Sequence, residues 1–150
     1  MKTKKKEKTI EYVLHLNPVQ MQYLSTVCEF FARIVCGQLD EFPWYITQEK
    51  GGQFAEKRDA AEPLLKQLKQ IYFPELGWNA SYGVGHADYS DIPWDMYQVI
   101  RNKIAWTEHP QSDFKGVNYY PPMQFSSQPL PKCEVFIDGV QTEVPDGHGY

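Results

Sequence analysis

From Pro18 to about Leu39, apolar side chains at Met21, Leu24, Cys28, Phe31 and Val35 recur every three to four residues, and Val27, Phe30 and Ile34 widen the stripe. That spacing predicts an amphipathic helix. Its start is marked: Asn17 suits a cap, Pro18 the first helical position, and Gln20 stands three residues after the cap. Gln22, Ser25, Glu29 and Arg33 form the polar side, with Glu29 and Arg33 paired at i,i+4. The apolar face is broader than one side of a small domain requires, so the helix is either central to the core or in part a contact for another subunit. Gly37 inside the pattern points to close backbone packing. Gln38, Asp40 and Glu41 beside it read as a helix-end cap in preference to a cleft lining, and the aromatic run Gly37 to Ile46 ends the helix near Pro43.

A turn over Gln48 to Gly52 leads to a second helical segment from Gln53 to about Tyr72, divided at Pro63, with Leu64, Leu65, Leu68, Ile71 and Tyr72 on its buried side. A third helix starts at a Ser90 or Asp91 cap, tolerates Pro93 in its first turn and ends near Thr107, with Ile92, Met96, Val99, Ile100 and Lys103 on one face. Thr9 to Leu16 alternates with β-branched and aromatic residues and reads as a strand. Asp138-Gly139, set between Glu134 to Ile137 and Val140 to Val144, is a hairpin signal. The expected fold class is therefore α+β: three main helices packed on a small antiparallel sheet formed by Thr9 to Leu16 and the Cys133 to Val144 hairpin. Residues 9–144 read as a single globular domain, 1–8 as a flexible basic arm and 145–150 as a loose tail. The segment from Pro110 to Pro131 is proline-rich and irregular.

Composition narrows the class. With 150 residues and 42% apolar content the chain fits one domain able to bury a core, and no apolar run reaches the ~18–20 residues of a membrane helix. No secretory signal follows the MKTKKKEK start, which implies a cytoplasmic location. Residues 1–8 carry five lysines and one glutamate, leaving a body with a net charge of −8. An acidic body argues against nucleic acid as a partner, because general affinity there comes from neutralising phosphates. Cys28 and Cys36 lie about 12 Å apart on one helix, too far for a disulfide within it, and read as small buried hydrophobes.

Twenty-two residues are aromatic, and those that helix faces and strands do not absorb concentrate at Phe42 to Tyr45 and in the long connection from Pro74 to Ser90. Connections of that length are functional or disordered, and the aromatic content opposes disorder. Within it, Ser81, Tyr82, Gly83, Gly85 and His86, with Trp78 before them and Tyr89 after, form the candidate ligand site. Glycines admit close backbone approach, aromatic rings offer stacking faces, and His86 exchanges hydrogen bonds near neutral pH. Arg101 on the following helix, with Lys103 as the alternative, would meet a phosphate. The bland alternative is a packed loop whose tyrosines cover the core. His86, Asp88, Asp91 and Asp95 invite a metal or acid–base reading, but capping accounts for Asp91 and the helix dipole for Asp95. No metal site, catalytic residue or cofactor is assigned, and the chain reads as a binding protein in preference to an enzyme.

The helix ending in Gly37-Gln38-Leu39-Asp40-Glu41, the Ser81-Tyr82-Gly83-Val84-Gly85 loop, and the helix carrying Tyr97 and Arg101 resemble a group of small proteins encoded by tailed bacteriophages and prophages. The resemblance spans roughly Asn17 to Glu134 and implies an accessory protein acting in the cytoplasm of an infected or lysogenic bacterium, with no known enzyme activity. The expectation is a non-enzymatic homo-oligomer that sequesters a small nucleotide-like ligand such as a host immune signal. The alternative is a protein that binds and inhibits or redirects a host protein.

Overall fold

Asn17 caps the first helix, α1 (Pro18–Val35), through a reciprocal pair. Its side chain accepts from the Gln20 amide at 2.9 Å and its own amide donates to the Gln20 side chain at 3.0 Å. The computed structural model describes residues 9–47, 52–111 and 116–147. In chain order α1 is followed by a 3₁₀ turn (Leu39–Glu41), α2 (Phe42–Ile46), α3 (Gly52–Tyr72), α4 (Asp88–Glu108), a 3₁₀ turn (Val117–Tyr119), and the strands β1 (Val135–Ile137) and β2 (Val140–Thr142). The class is α+β, with four helices where the sequence suggested three.

α1 ends four residues earlier than its apolar pattern. Gly37 takes φ +98°, and the Gly37 and Gln38 amides bond back to the Ile34 and Arg33 carbonyls, which closes the helix with a Schellman turn. That φ favours glycine, and a Cβ on Gly37 would in addition lie 2.8 Å from Leu76 Cδ1, so the leucine end would have to shift. Pro43 therefore ends nothing; it sits in the first turn of α2.

The main seam of the molecule is α1 against α4. α1 contributes Ser25, Cys28 and Ala32 to it as buried residues, and α4 contributes Val99, Ile100, Ala105 and Trp106. The seam thus runs along small residues of α1 instead of the centre of its apolar stripe. Val19, Tyr23, Val27 and Phe31, at i, i+4, i+8 and i+12 on the opposite face, stay exposed.

α4 begins at Asp88 behind a cap residue, Ala87, that offers no side-chain bond. Ser90 and Asp91 thus lie inside the helix: Ser90 Oγ donates to the Ala87 carbonyl and Asp91 accepts from the Gly85 amide at 3.0 Å. Asp91, Asp95, Gln98 and Asn102 form a buried polar stripe at i, i+4, i+7 and i+11. Three of them receive the backbone of the proline-rich segment. Asp95 accepts from the Phe125 and Ser126 amides at 2.9 Å, and Gln98 donates to the Met123 carbonyl (2.8 Å) and accepts from its amide (3.2 Å). Asn102 donates to the carbonyls of Asn118 and Tyr120. Trp106 Nε1 adds a bond to the Tyr119 carbonyl. An irregular strand containing Pro121 and Pro122 lacks donors for a β ladder, and helix side chains satisfy its backbone in place of a sheet. Gly147 lies so close to this segment that a Cβ there would overlap the Tyr119 carbonyl.

Two other expectations are corrected. Pro63 does not divide α3, which runs unbroken for 21 residues. Of its expected buried side only Leu65 is buried, because no neighbouring element covers Leu64, Leu68, Ile71 and Tyr72. Thr9 to Leu16 is not a strand of the sheet, which holds β1 and β2 alone. The segment is irregular in hydrogen bonding and exposed, Tyr12 at 92%. The hairpin forms as expected, with Asp138 and Gly139 both at positive φ and Ile137 paired to Val140. The basic arm, most of the Gln48 to Gly52 turn and His148 to Tyr150 lie outside the described residues.

Candidate binding groove between the first and fourth helices

Two depressions flank the α1–α4 seam. The larger, about 400 Å³, lies where Gln22, Ser25, Thr26 and Glu29 of α1 face Tyr97, Arg101 and Glu108 of α4, and Asn118 and Tyr119 close one side. The smaller, about 130 Å³, lies beside the glycine loop, among Arg33, Cys36, Gln38, Gly83, Asp91 and Trp94.

Glu29 and Trp94 connect them. Arg33 donates from Nε (3.0 Å) and Nη2 (2.9 Å) to Glu29 Oε1 and from Nη1 to Gln38 at 2.9 Å. Burial opposes the charge on this guanidinium, yet its bonds to Glu29 outweigh burial and hold it above its ordinary range. The Arg33 and Arg101 guanidinium carbons lie 5.4 and 5.9 Å from the centre of the Trp94 ring, and that of Arg101 lies 4.8 Å from the Tyr97 ring. Burial pushes the Tyr97 phenol up, Arg101 draws it down, and Glu29 raises it again. Burial, followed by Glu29, likewise lifts the Tyr45 phenol. Both phenols are therefore neutral donors at physiological pH. Glu29 is ion-paired to Arg33, whereas Arg101, among the described residues, meets aromatic faces and no carboxylate within 4.0 Å.

The loop residues singled out from the sequence divide into groups. Gly83 lines the small depression. Beside it Ser81 Oγ accepts from Gln38 Nε2 at 3.4 Å, so Gln38 ties the helix end to the loop and lines the depression in place of the cap expected of it. Tyr82 anchors the loop by donating its amide to the Cys36 carbonyl at 3.0 Å. Its ring stacks on His86 at 4.1 Å and 4°, and meets Phe73 edge-on. Gly85 is engaged by Asp91. Tyr89 is exposed and packs edge-on against Phe31. Trp78 belongs elsewhere: its ring lies over the amines of Lys66 and Lys69, and its carbonyl accepts from Lys69 Nζ at 2.8 Å. Arg101 lines the larger groove, apart from Gly83. In the second aromatic concentration Phe42 and Tyr45 pack against Phe30, whereas Trp44 meets Phe54 edge-on and stays exposed.

The carboxylates whose sequence pattern invites a metal are each engaged by backbone amides, Asp88 by Ser127, Asp91 by Gly85, and Asp95 by Phe125 and Ser126. Sequence reasoning missed Glu29, Tyr97, Ser25 and Thr26 as groove residues. A visible signal was Ser25 at the i−3 position from Cys28 and the i−7 position from Ala32, a small-residue line beside the apolar one.

Chemically, the larger groove offers the Arg101 guanidinium, which forms no ion pair among the described residues, with aromatic edges, hydroxyls and the carboxylates of Glu29 and Glu108. It suits a small ligand that combines an anionic group with a ring and exchangeable hydrogens. Comparison with protein families, with curated proteins and with solved structures finds no match for this chain.

Proposed function

We propose that this chain is a non-enzymatic binding protein for a small nucleotide-like ligand, working as a homo-oligomer. On the resemblance of its motifs, it acts as a phage-encoded accessory protein in the cytoplasm of the infected cell. The supporting observation is Arg101: a guanidinium held against the Tyr97 ring, with no carboxylate within 4.0 Å among the described residues, opening on a polar groove of about 400 Å³. A phosphate takes the guanidinium in a two-pronged bond, and Glu29 and Glu108 accept from amino or hydroxyl groups. Gly83 and Ser81 flank the neighbouring depression. Calorimetry against cyclic and linear nucleotides tests the reading. The expected result is one site per chain, with affinity falling about a hundredfold in Arg101→Ala and only partly recovered in Arg101→Lys. A folded protein that gives no heat with any nucleotide ends it.

A second reading, a protein that binds and redirects a host protein, draws on the exposed line Val19, Tyr23, Val27 and Phe31 of α1. It predicts a stoichiometric partner from host lysate that is lost in Tyr23→Glu and retained in Arg101→Ala.

A further inference from the structure

Residues 9–16 form neither helix nor strand and are largely exposed. Ile10, Tyr12, Val13 and Leu14 are all more than two-thirds exposed, and no backbone group between Thr9 and Leu16 is hydrogen-bonded to another described residue. Eight residues with β-branched and aromatic side chains and unpaired amides are a strand without a ladder. The same chain carries the counterpart. The β1–β2 hairpin is two-stranded, so both its outer edges lack a neighbour among the described residues, and Phe136, Ile137 and Val140 are exposed on it. His15 comes within 6.2 Å of the Phe136 ring, yet no ladder joins this segment to the hairpin of its own copy.

Charge repeats the match. Residues 1–8 hold five lysines against one glutamate, whereas residues 133–144 hold Glu134, Asp138 and Glu143 and no basic residue. A basic stretch leading into an apolar, unpaired segment is thus complementary in charge and character to an acidic and apolar hairpin edge, and both halves occur once per chain.

We infer that residues 9–16 of one copy add as an edge strand to the hairpin of a second copy, with the lysines of residues 1–8 against Glu134 and Glu143, in a reciprocal two-fold exchange. Such an exchange closes with two copies, since donor and acceptor are both used. The inference rests on the homo-oligomer reading above and names the surface that makes it.

Light scattering on the whole chain supplies the first readout, with a dimer expected. Tyr12→Pro with Leu14→Pro removes two ladder donors at positions exposed in the single copy, so the helical circular dichroism stays unchanged while the mass falls to that of a monomer. A charge exchange fixes the pairing. Lys4→Glu, Lys5→Glu and Lys6→Glu in one variant, and Glu134→Lys with Glu143→Lys in another, each weaken self-association about tenfold, and mixing the two restores a mixed dimer. A wild-type monomer at every concentration overturns both this inference and the homo-oligomer reading. A wild-type oligomer whose mass survives the two prolines, or charge variants that fail to restore each other, overturns this inference alone.

Discussion

Lys69 is buried to 2% exposure and answers to backbone carbonyls, those of Trp78 and Ala80, instead of to a carboxylate. Its amine thereby pins the start of the glycine loop to α3, with the Trp78 ring covering the charge. Lys69→Met keeps the buried stem and removes the donors. The two carbonyls can be partly rehydrated at the loop surface, so a loss of about 1–2 kcal/mol in urea unfolding is expected, with greater amide exchange over residues 78–82. Asp88 works at the same scale. Bonds from the Ser127 hydroxyl and then the Ser127 amide hold its carboxyl below its ordinary value. The folded-state pKa lies below the unfolded one, near 3.9, so the attachment is at full strength above that value and weakens as the pH falls through the depressed native one. In an acid titration the Ser127 amide resonance is expected to move with a midpoint below that of a free aspartate. Ser127→Ala shifts the midpoint back up. A midpoint unchanged by that substitution would show that the bond is not formed in solution.

At the scale of elements, the distinctive arrangement is a helix that holds an irregular strand through its side chains. Asn102→Ala combined with Gln98→Ala leaves the Asn118, Tyr120 and Met123 carbonyls without their donors. The expected outcome is release of residues 118–126 to protease and a loss of roughly 2–4 kcal/mol, with α4 still helical by circular dichroism. The cap of α1 and the hairpin at Asp138-Gly139 were legible in the sequence, because both depend on local chemistry: a side chain reaching three residues on, and a turn that needs positive φ. The polar stripe of α4 was not. Asp95, Gln98 and Asn102 recur as regularly as any apolar line, but polar residues at helical spacing ordinarily mean a solvated face, and their partners lie 16 to 31 residues further along the chain. The strand expected at Thr9 to Leu16 failed for a related reason. Alternation reports a capacity to pair, and the partner edge must come from tertiary structure.

Over the whole molecule, large apolar residues are more often exposed than buried. Apart from Leu39, Pro43 and Leu65, the buried apolar side chains among the described residues lie on α1, just past its end at Cys36, and on α4, so the interior is mainly one helix–helix seam reinforced by polar docking. The candidate site was legible in part. The loop and Arg101 were both identified, but that they border separate depressions joined by Glu29 and Trp94 depends on how α1 crosses α4, which periodicity does not encode. The exposed apolar lines on α1 and α3 lie apart from the polar groove, so a partner seated on either line would leave the groove open. The docking on α4 has a consequence for how this sequence can vary. Asp95, Gln98 and Asn102 grip main-chain amides and carbonyls, so their hold sets no demand on the side chains of residues 118–126, where Tyr119 against Trp106 and the buried Ser126 are fixed by contacts of their own. For the same reason, an unrelated peptide able to lie extended across that face would compete with the protein's own chain.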